Sequence, residues 1–166
     1  MDMLFSYTAR TQFVEKLRRL LGGPVPHSQV AALPWRPSPL GGIEILLVTS
    51  RDTGRWVLPK GWPEGEEKLD QSALREAQEE AGISGDIGAE SVGSYFYDKR
   101  LPTGLARRCE VQVFALEVTR IARKWPEMDQ RTRNWVAPEV AAELVNEPDL
   151  GELIIGFANN PRLIAA

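Results

Sequence analysis

Between Gly61 and Ile83 the chain reads GWPEGEEKLDQSALREAQEEAGI, a glycine-bounded loop followed by thirteen residues that contain neither glycine nor proline. The run Leu69 to Ala81 is rich in Ala, Leu, Glu and Gln, so it predicts a helix, with Gly82 placed to end it. Helical geometry then sorts the side chains. Asp70, Ala73, Leu74, Ala77 and Ala81 fall on one side, while Glu76, Glu79 and Glu80, at i, i+3 and i+4, fall on nearly the opposite side. The small residues suit packing against a sheet, and the three carboxylates share one surface.

Like charges at these separations each cost about a few tenths of a kcal/mol, so the helix gains nothing from the arrangement unless something compensates. Hard divalent cations such as Mg²⁺ take oxygen ligands, retain water and bind where a few carboxylates meet substrate phosphates. Glu76, Glu79 and Glu80 are therefore candidate metal ligands. Arg75 lies four residues before Glu79 and can hold it by a charge-assisted hydrogen bond. Glu67, just ahead of the helix, can do similar orienting work. Taken alone, a glutamate-rich helix face is ordinarily solvated surface.

Its surroundings favour the metal reading. The chain has Gly61, five residues, Glu67, seven more, then Arg75-Glu76, Glu79-Glu80 and Gly82-Ile83. This spacing resembles the signature of the Nudix hydrolases, which use divalent metal to cleave a diphosphate linked to another moiety. The resemblance covers the whole signature, except that Ala77 stands where the family usually has a larger aliphatic residue. Ala77 lies on the packing side, so the departure bears on fit more than on chemistry. The implied fold is of the α/β class, a Nudix-type α/β/α sandwich in which a mixed sheet carries the glutamate helix on one side.

Four outer segments resemble the branch of the family that acts on diadenosine polyphosphates and diphosphoinositol polyphosphates. They are Leu46 to Arg51, Arg55 to Pro59, Trp125-Pro126-Glu127 and Arg131 to Trp135, and with the box they span roughly Gln29 to Phe157. Lys60-Gly61-Trp62 replaces the glycine run of the inositol-cleaving members, which counts against an inositol substrate. The resemblance implies Mg²⁺, with Mn²⁺ able to substitute, held by Glu76, Glu79, Glu80 and the backbone carbonyl of Lys60. It also implies Glu79 as first choice for the base that takes a proton from the attacking water, with Arg75 and Glu67 in support. Glu110, Glu127 and Glu139 are the alternative bases outside the box.

The substrate must be held by other residues. Ser50 and Arg51 end one expected strand, Arg107 and Arg108 begin another, and Arg131 and Arg133 lie beside a third. These are candidate polyphosphate contacts, since the planar fork of arginine grips two phosphate oxygens. Lys99 and Arg100 have weaker claims, and each cation taken singly also reads as exposed surface. Trp62, Tyr95, Phe96, Tyr97 and Trp135 are candidates to stack on an adenine, although most such aromatics are core. His27, the only histidine, reads as a turn residue before the first strand.

Strands are expected at Gln29 to Leu33, Ile43 to Ser50, Trp56 to Leu58, Ile87 to Tyr97, Cys109 to Val118 and Arg133 to Val136, with helices at Pro138 to Val145 and Leu150 to Ala158. A chain of 166 residues, 43% hydrophobic, can bury one core, so residues 1–166 are expected to form a single domain. Residues 1–23 would be an N-terminal helical extension. There Phe13, Val14, Leu17, Leu20 and Leu21 form a helical stripe beside Lys16, Arg18 and Arg19, expected to pack on the domain as a surface helix, with a targeting or membrane-touching segment as the alternative.

A formal net charge of −3 argues against bulk nucleic-acid binding, leaving a small-molecule polyphosphate as the expected partner. Cys109 is the only cysteine, which excludes an internal disulfide or a cysteine-built zinc module, disfavours NADH as substrate, and suits a reducing cytoplasm. No apolar run approaches the ~20 residues that span a bilayer, so no membrane association is expected. The sequence assigns no oligomeric state. Diadenosine polyphosphate is the leading substrate, with inositol pyrophosphate, ADP-ribose, a damaged nucleoside triphosphate or a triphosphorylated RNA end as alternatives. A non-catalytic nucleotide-binding module is the alternative of another class.

Overall fold

The computed structural model of the chain describes residues 6–161. Among them, four helices and one seven-stranded sheet follow in the order α1 (Tyr7–Leu20), β1 (His27–Pro37), β2 (Ile43–Thr49), β3 (Trp56–Val57), β4 (Lys60–Gly61), α2 (Leu69–Ala81), β5 (Ile83–Arg100), β6 (Ala106–Ile121), β7 (Arg133–Val136), α3 (Pro138–Leu144) and α4 (Pro148–Asn159). The strand path is β3-β2-β1-β6-β5, with β4 paired to β1 and β7 to β2. The sheet is mixed because β1 and β6 run parallel, from His27 beside Cys109 to Trp35 beside Glu117, while the other pairs are antiparallel.

Strand alternation explains the layers. Val30 and Ala32 of β1, Leu46 and Val48 of β2, and Phe114 and Leu116 of β6 point to the face covered by Ala73, Ala77 and Ala81 of α2. The intervening residues Ala31, Leu33, Ile45, Leu47, Val111 and Val113 point to the other face, covered by Ala141 of α3 and Leu150, Ile154 and Phe157 of α4. Both faces are thus apolar in the central strands, the pattern of a sheet buried on two sides. Each such Val, Leu or Ile contributes about 1.5–3 kcal/mol by leaving water. Ala77, small and fully buried, lets α2 lie close to the sheet.

The C-terminal end of α2 is tied down by a segment distant in sequence. Gly82 adopts φ 63° and donates its N–H to Gln78 O at 3.1 Å, ending the helix in a left-handed cap. The connection after β6 then closes over that end. Ala122 N donates to Gly82 O at 2.7 Å, Trp125 Nε1 to Glu80 O at 3.2 Å, and Glu127 N to Glu79 O at 3.2 Å. Arg133, expected at the substrate, is engaged here instead. Its Nη1 donates to Ala81 O at 2.6 Å, its Nη2 to Ala122 O at 2.8 Å, and its guanidinium lies 3.9 Å from the Trp125 ring. A cation at a helix C-terminus satisfies orphan carbonyls and complements the dipole.

Several expectations shift in register. β1 begins at His27, so His27 is a strand residue, its ring edge-on to Trp62 at 6.2 Å, and not part of a turn. β5 starts directly after Gly82 and forms with β6 a long bulged hairpin. The larger difference is α1, whose apolar stripe faces outward. The helix is instead held by its polar side. Glu152 of α4 accepts hydrogen bonds from Ser6 Oγ at 2.8 Å, Tyr7 N at 2.7 Å and Thr8 N at 2.9 Å, a carboxylate placed at a helix N-terminus. Glu15, 3% exposed, accepts from Arg108 Nε at 2.8 Å and Arg18 Nε at 3.1 Å. Burial pushes Glu15 up, but Arg108 and Arg18 together outweigh it and hold the carboxyl below its ordinary range. These bonds fix the roll of α1. Leaving Glu15 buried without its arginines would cost about 3–5 kcal/mol.

A Cβ at position 82 would demand the left-handed conformation and meet Trp125 Cβ at 2.7 Å. Gly82→Ala is therefore expected to lower the unfolding free energy by more than about 1 kcal/mol, read from the urea midpoint at unchanged slope. An unshifted midpoint would remove Gly82 as the terminator on which the cap depends.

Candidate active site

A cleft of about 950 Å³ opens beside α2. Its walls are Arg75, Glu76, Glu79 and Glu80 of α2, the turn Ser50 to Thr53, Lys60 to Trp62, the β5 segment Phe96 to Arg100, Glu127 with Arg131, and Asn146 to Asp149. All three box glutamates reach it, as the helical spacing predicts.

The carboxylates differ in their engagement. Glu76, 8% exposed, accepts from Arg75 Nη1 at 2.9 Å and lies against Gly61, where a Cβ would run into the carboxylate. Gly61 is thus a steric requirement of the site. Glu80, 6% exposed, accepts from the backbone N–H of Lys60 at 3.1 Å and is paired with Arg131 Nη2. The Glu79 side chain is 45% exposed and has only Arg75 at 3.6 Å. Arg75 was expected to hold Glu79. Its hydrogen bonds go instead to Glu76, to Glu67 at 3.2 Å and to Trp62 O at 3.2 Å. Glu67 is held below its ordinary range, first by the Ser72 hydroxyl at 2.7 Å and then by Arg75.

Burial dominates the titration of the inner pair. It pushes Glu76 up against the pull of Arg75, and it pushes Glu80 up to about 7 against Arg131 and Lys60. Among the described residues, no three acidic, histidine or cysteine side chains converge as a ready-made metal cage. Oxygens of Glu76 and Glu80 are turned to Arg75 and Arg131. The chemistry of the donor set nonetheless fits a divalent cation. Desolvated carboxylates whose pKa values rise beside their own arginines lack positive charge, and oxygen-only donors are what a hard cation takes.

Glu127 and Arg131 complete this side of the cleft. The bond from Glu127 N to Glu79 O delivers Glu127 to the cleft, and Arg131, one helical turn later in sequence, is clamped between Glu127, Glu80 and Thr49 O, the last at 3.0 Å. Arg131 therefore organises Glu80, with a side chain only 6% exposed. Arg51 is the opposite case: 53% exposed, its nearest acid Glu127 at 3.4 Å.

Of the other expected contacts, Ser50 lines the cleft. Arg108 does too, but it is tied to Glu15 and to Asp98 at 3.3 Å and lies 5.4 Å from the Phe96 ring. Arg107 is not among the lining residues, nor are Glu110, which pairs with Arg19, and Glu139, exposed on α3. Lys99 and Arg100 do line it, with Lys99 Nζ 5.3 Å from the Trp62 ring. Trp62, Phe96 and Tyr97 reach the cleft, whereas Tyr95 is core and Trp135 lies under Arg36 at 4.1 Å. Sequence reasoning missed Arg55, paired with Glu147 at 2.7 Å, and the side chain of Lys60, 5.1 Å from the Tyr97 ring. Burial pushes the Lys60 ammonium down. In sequence, Arg55 stood only as the first residue of a family-like segment and Lys60 only for its backbone carbonyl.

A helix bearing glutamates, laid on a mixed sheet after a glycine loop with its carboxylates in a polar cleft, defines a Nudix-type α/β/α sandwich. The NUDIX domain model matches residues 26–155, and the chain belongs to the Nudix family, which generally uses divalent metal ions such as Mg²⁺. Nudix hydrolase 21, chloroplastic, of Arabidopsis thaliana is 35% identical over 133 residues, covering 78% of this chain and 65% of that protein. Diphosphoinositol polyphosphate phosphohydrolase 3-alpha of Mus musculus is 34% identical over 105 residues, 61% of this chain and 60% of that protein. In fold the chain is similar to a C. elegans Ap4A hydrolase binary complex, with TM-score 0.60 and 22% identity over 80% of this chain and 96% of that one. No helix among the described residues is long and apolar enough to cross a membrane.

The direction of the Glu80 shift gives a pH dependence. Between the ordinary value of 4.5 and about 7 the folded state keeps a proton that the unfolded state has released. Stability from this group is full below about 4.5 and lost as pH rises through about 7. Glu76 shifts the same way, whereas Glu15, Glu67 and Glu152 are lowered and act below that window. Metal-stripped protein should lose unfolding free energy in urea as pH climbs across this interval, and Glu80→Gln should flatten the decline. An equal slope in the variant would assign the titration to other groups.

Proposed function

We propose that this chain, as one domain, hydrolyses a phosphoanhydride bond of a dinucleoside polyphosphate, most simply diadenosine tetra- or hexaphosphate. The observation that carries the reading is one cleft lined at once by three box glutamates, by Arg51, Lys99 and Arg100, and by Trp62 and Phe96. A long flexible polyanion with a base at each end calls for such a set: carboxylates for metal, cations for phosphates and an aromatic face for a base.

Mg²⁺, or Mn²⁺ in its place, would be held by Glu76, Glu79, Glu80 and the Lys60 carbonyl. When bound it neutralises phosphate charge and lowers the pKa of a water. The chain's own residues do the rest. Glu79, the most exposed and least engaged of the three, takes the proton of the attacking water. Arg75 orients Glu76, Glu67 orients Arg75, and Arg131 positions Glu80. Arg51 and Ser50 meet the phosphates from the turn after β2. A single cysteine, with no disulfide possible within the chain, suits a reducing compartment such as the cytoplasm.

The mouse relative's name favours a second reading, an inositol pyrophosphate. Several phosphates on one ring would call for a denser set of available cations. Here Arg55, Arg108 and Arg131 are each paired with a carboxylate, which favours the extended substrate.

Incubation with diadenosine tetraphosphate, a diphosphoinositol polyphosphate and ADP-ribose in Mg²⁺, with products resolved by ion exchange, tests both. Diadenosine cleavage is expected, with Glu79→Gln and Glu80→Gln each lowering kcat by about 10²–10⁴-fold at retained fold. Arg51→Ala should chiefly raise KM. Turnover confined to the inositol compound would replace the substrate; unimpaired turnover in both glutamate variants would discard the site. Nucleotide binding by calorimetry with no product would make the chain a binding module.

A further inference from the structure

The roll of α1 leaves Phe13, Val14, Leu17, Leu20 and Leu21 on its outer face, exposed by 68%, 57%, 44%, 82% and 78%. Their spacing, i, i+1, i+4, i+7 and i+8, makes one continuous stripe. Nothing among the described residues buries it, and a contiguous apolar surface of this kind marks an interaction site. The charges on that face are one-sided. Arg10 and Lys16 are exposed, and the ion pairs of α1 involve only Glu15, Arg18 and Arg19. The helix's single acid, Glu15, is turned inward. The outer face therefore offers apolar side chains and two available cations with no acid of its own.

We propose that α1, against the expectation from sequence of no membrane partner, docks the protein on an anionic lipid surface, lying flat with its outer face in the headgroup boundary. An interfacial helix needs an apolar face with basic residues whose long stems reach lipid phosphates, and Phe13, Leu17 and Leu20 with Arg10 and Lys16 provide it. A second copy of the same face is the poorer occupant, because a symmetric contact would bring the Arg10 and Lys16 charges of both copies together without an acid between them. The formal net charge of −3 does not prevent docking. Charges beyond about 8 Å are screened at physiological salt, so the local face decides. The inner bonds from α1 to Glu152 and Arg108 remain in place, so the cleft stays attached to the docked helix. The proposal is independent of the substrate reading.

Cosedimentation of the full chain with two vesicle types tests it: phosphatidylcholine alone, and an equal mixture of phosphatidylcholine and phosphatidylglycerol. Binding to the mixed vesicles is expected, weakened by salt and weak on phosphatidylcholine. The double substitution Arg10→Gln with Lys16→Gln should weaken it by about thirtyfold, and Phe13→Glu with Leu20→Glu should abolish it. Leu40→Glu, at a loop leucine 99% exposed, should leave binding unchanged and controls for general stickiness. Circular dichroism and nucleotide turnover should be the same in all variants, since none touches the cleft. Absence of sedimentation with either vesicle, or equal binding to both, would overturn the proposal. So would dimerisation in sedimentation velocity that Phe13→Glu abolishes while vesicles go unbound, since the face would then join two copies.

Discussion

The ion pair between Glu80 and Arg131 is the contact around which the cleft is organised. Two carboxylates of α2 are removed from water, which by itself would drive them toward protonation. Arg131 offsets part of that penalty at Glu80 and simultaneously holds Glu127 and Thr49 O, so one guanidinium joins α2, the end of β2 and the segment before β7. Arg75 does the corresponding work at Glu76 and extends it to Glu67 and the loop at Trp62. The offset is incomplete at both glutamates. Oxygen donors whose ionised form is left under-compensated are suited to a divalent cation, which supplies the missing positive charge.

The backbone frame makes this electrostatic arrangement rigid. α2 is fixed at its start by Ser72 on Glu67 and at its end by the Gly82 cap and the 122–133 segment, which satisfies the carbonyls of Glu79, Glu80, Ala81 and Gly82. The same bonds that terminate the helix carry Glu127 into the cleft. Helix capping and site assembly are thus a single structural event. A change at Trp125 or Arg133, neither of which lines the cleft, would be felt at Glu80 through the helix end.

The glutamate helix, its small-residue face and its terminating glycine were legible in sequence because they depend on local periodicity and on the conformational freedom of one residue. Most strands were legible too, with ends displaced. β5 and β6 run longer than their apolar cores because the hairpin pairs polar residues as well, Lys99 with Arg107 for example. The partners of the arginines were not legible. Arg133 and Arg51 look equivalent as residue types near strands, yet one braces α2 and the other remains half-exposed at the cleft. Their difference lies in which carbonyls and carboxylates the fold brings near. For α1 the periodicity located the helix and the stripe, but it carried no information about which side would be held.

By itself, the sequence determined the class of fold, the glutamate helix and the three carboxylates that share its cleft side, because a period of 3.6 residues and a fixed signature both act within one short stretch of chain. Tertiary structure decided how those carboxylates are held, which cations reach the cleft, and which way α1 faces. Each depends on contacts between residues far apart in sequence: Glu80 with Arg131, Glu15 with Arg108, Glu152 with the first turn of α1. Desolvation makes such buried pairs decisive, since a charge removed from water must find its partner wherever the fold places one.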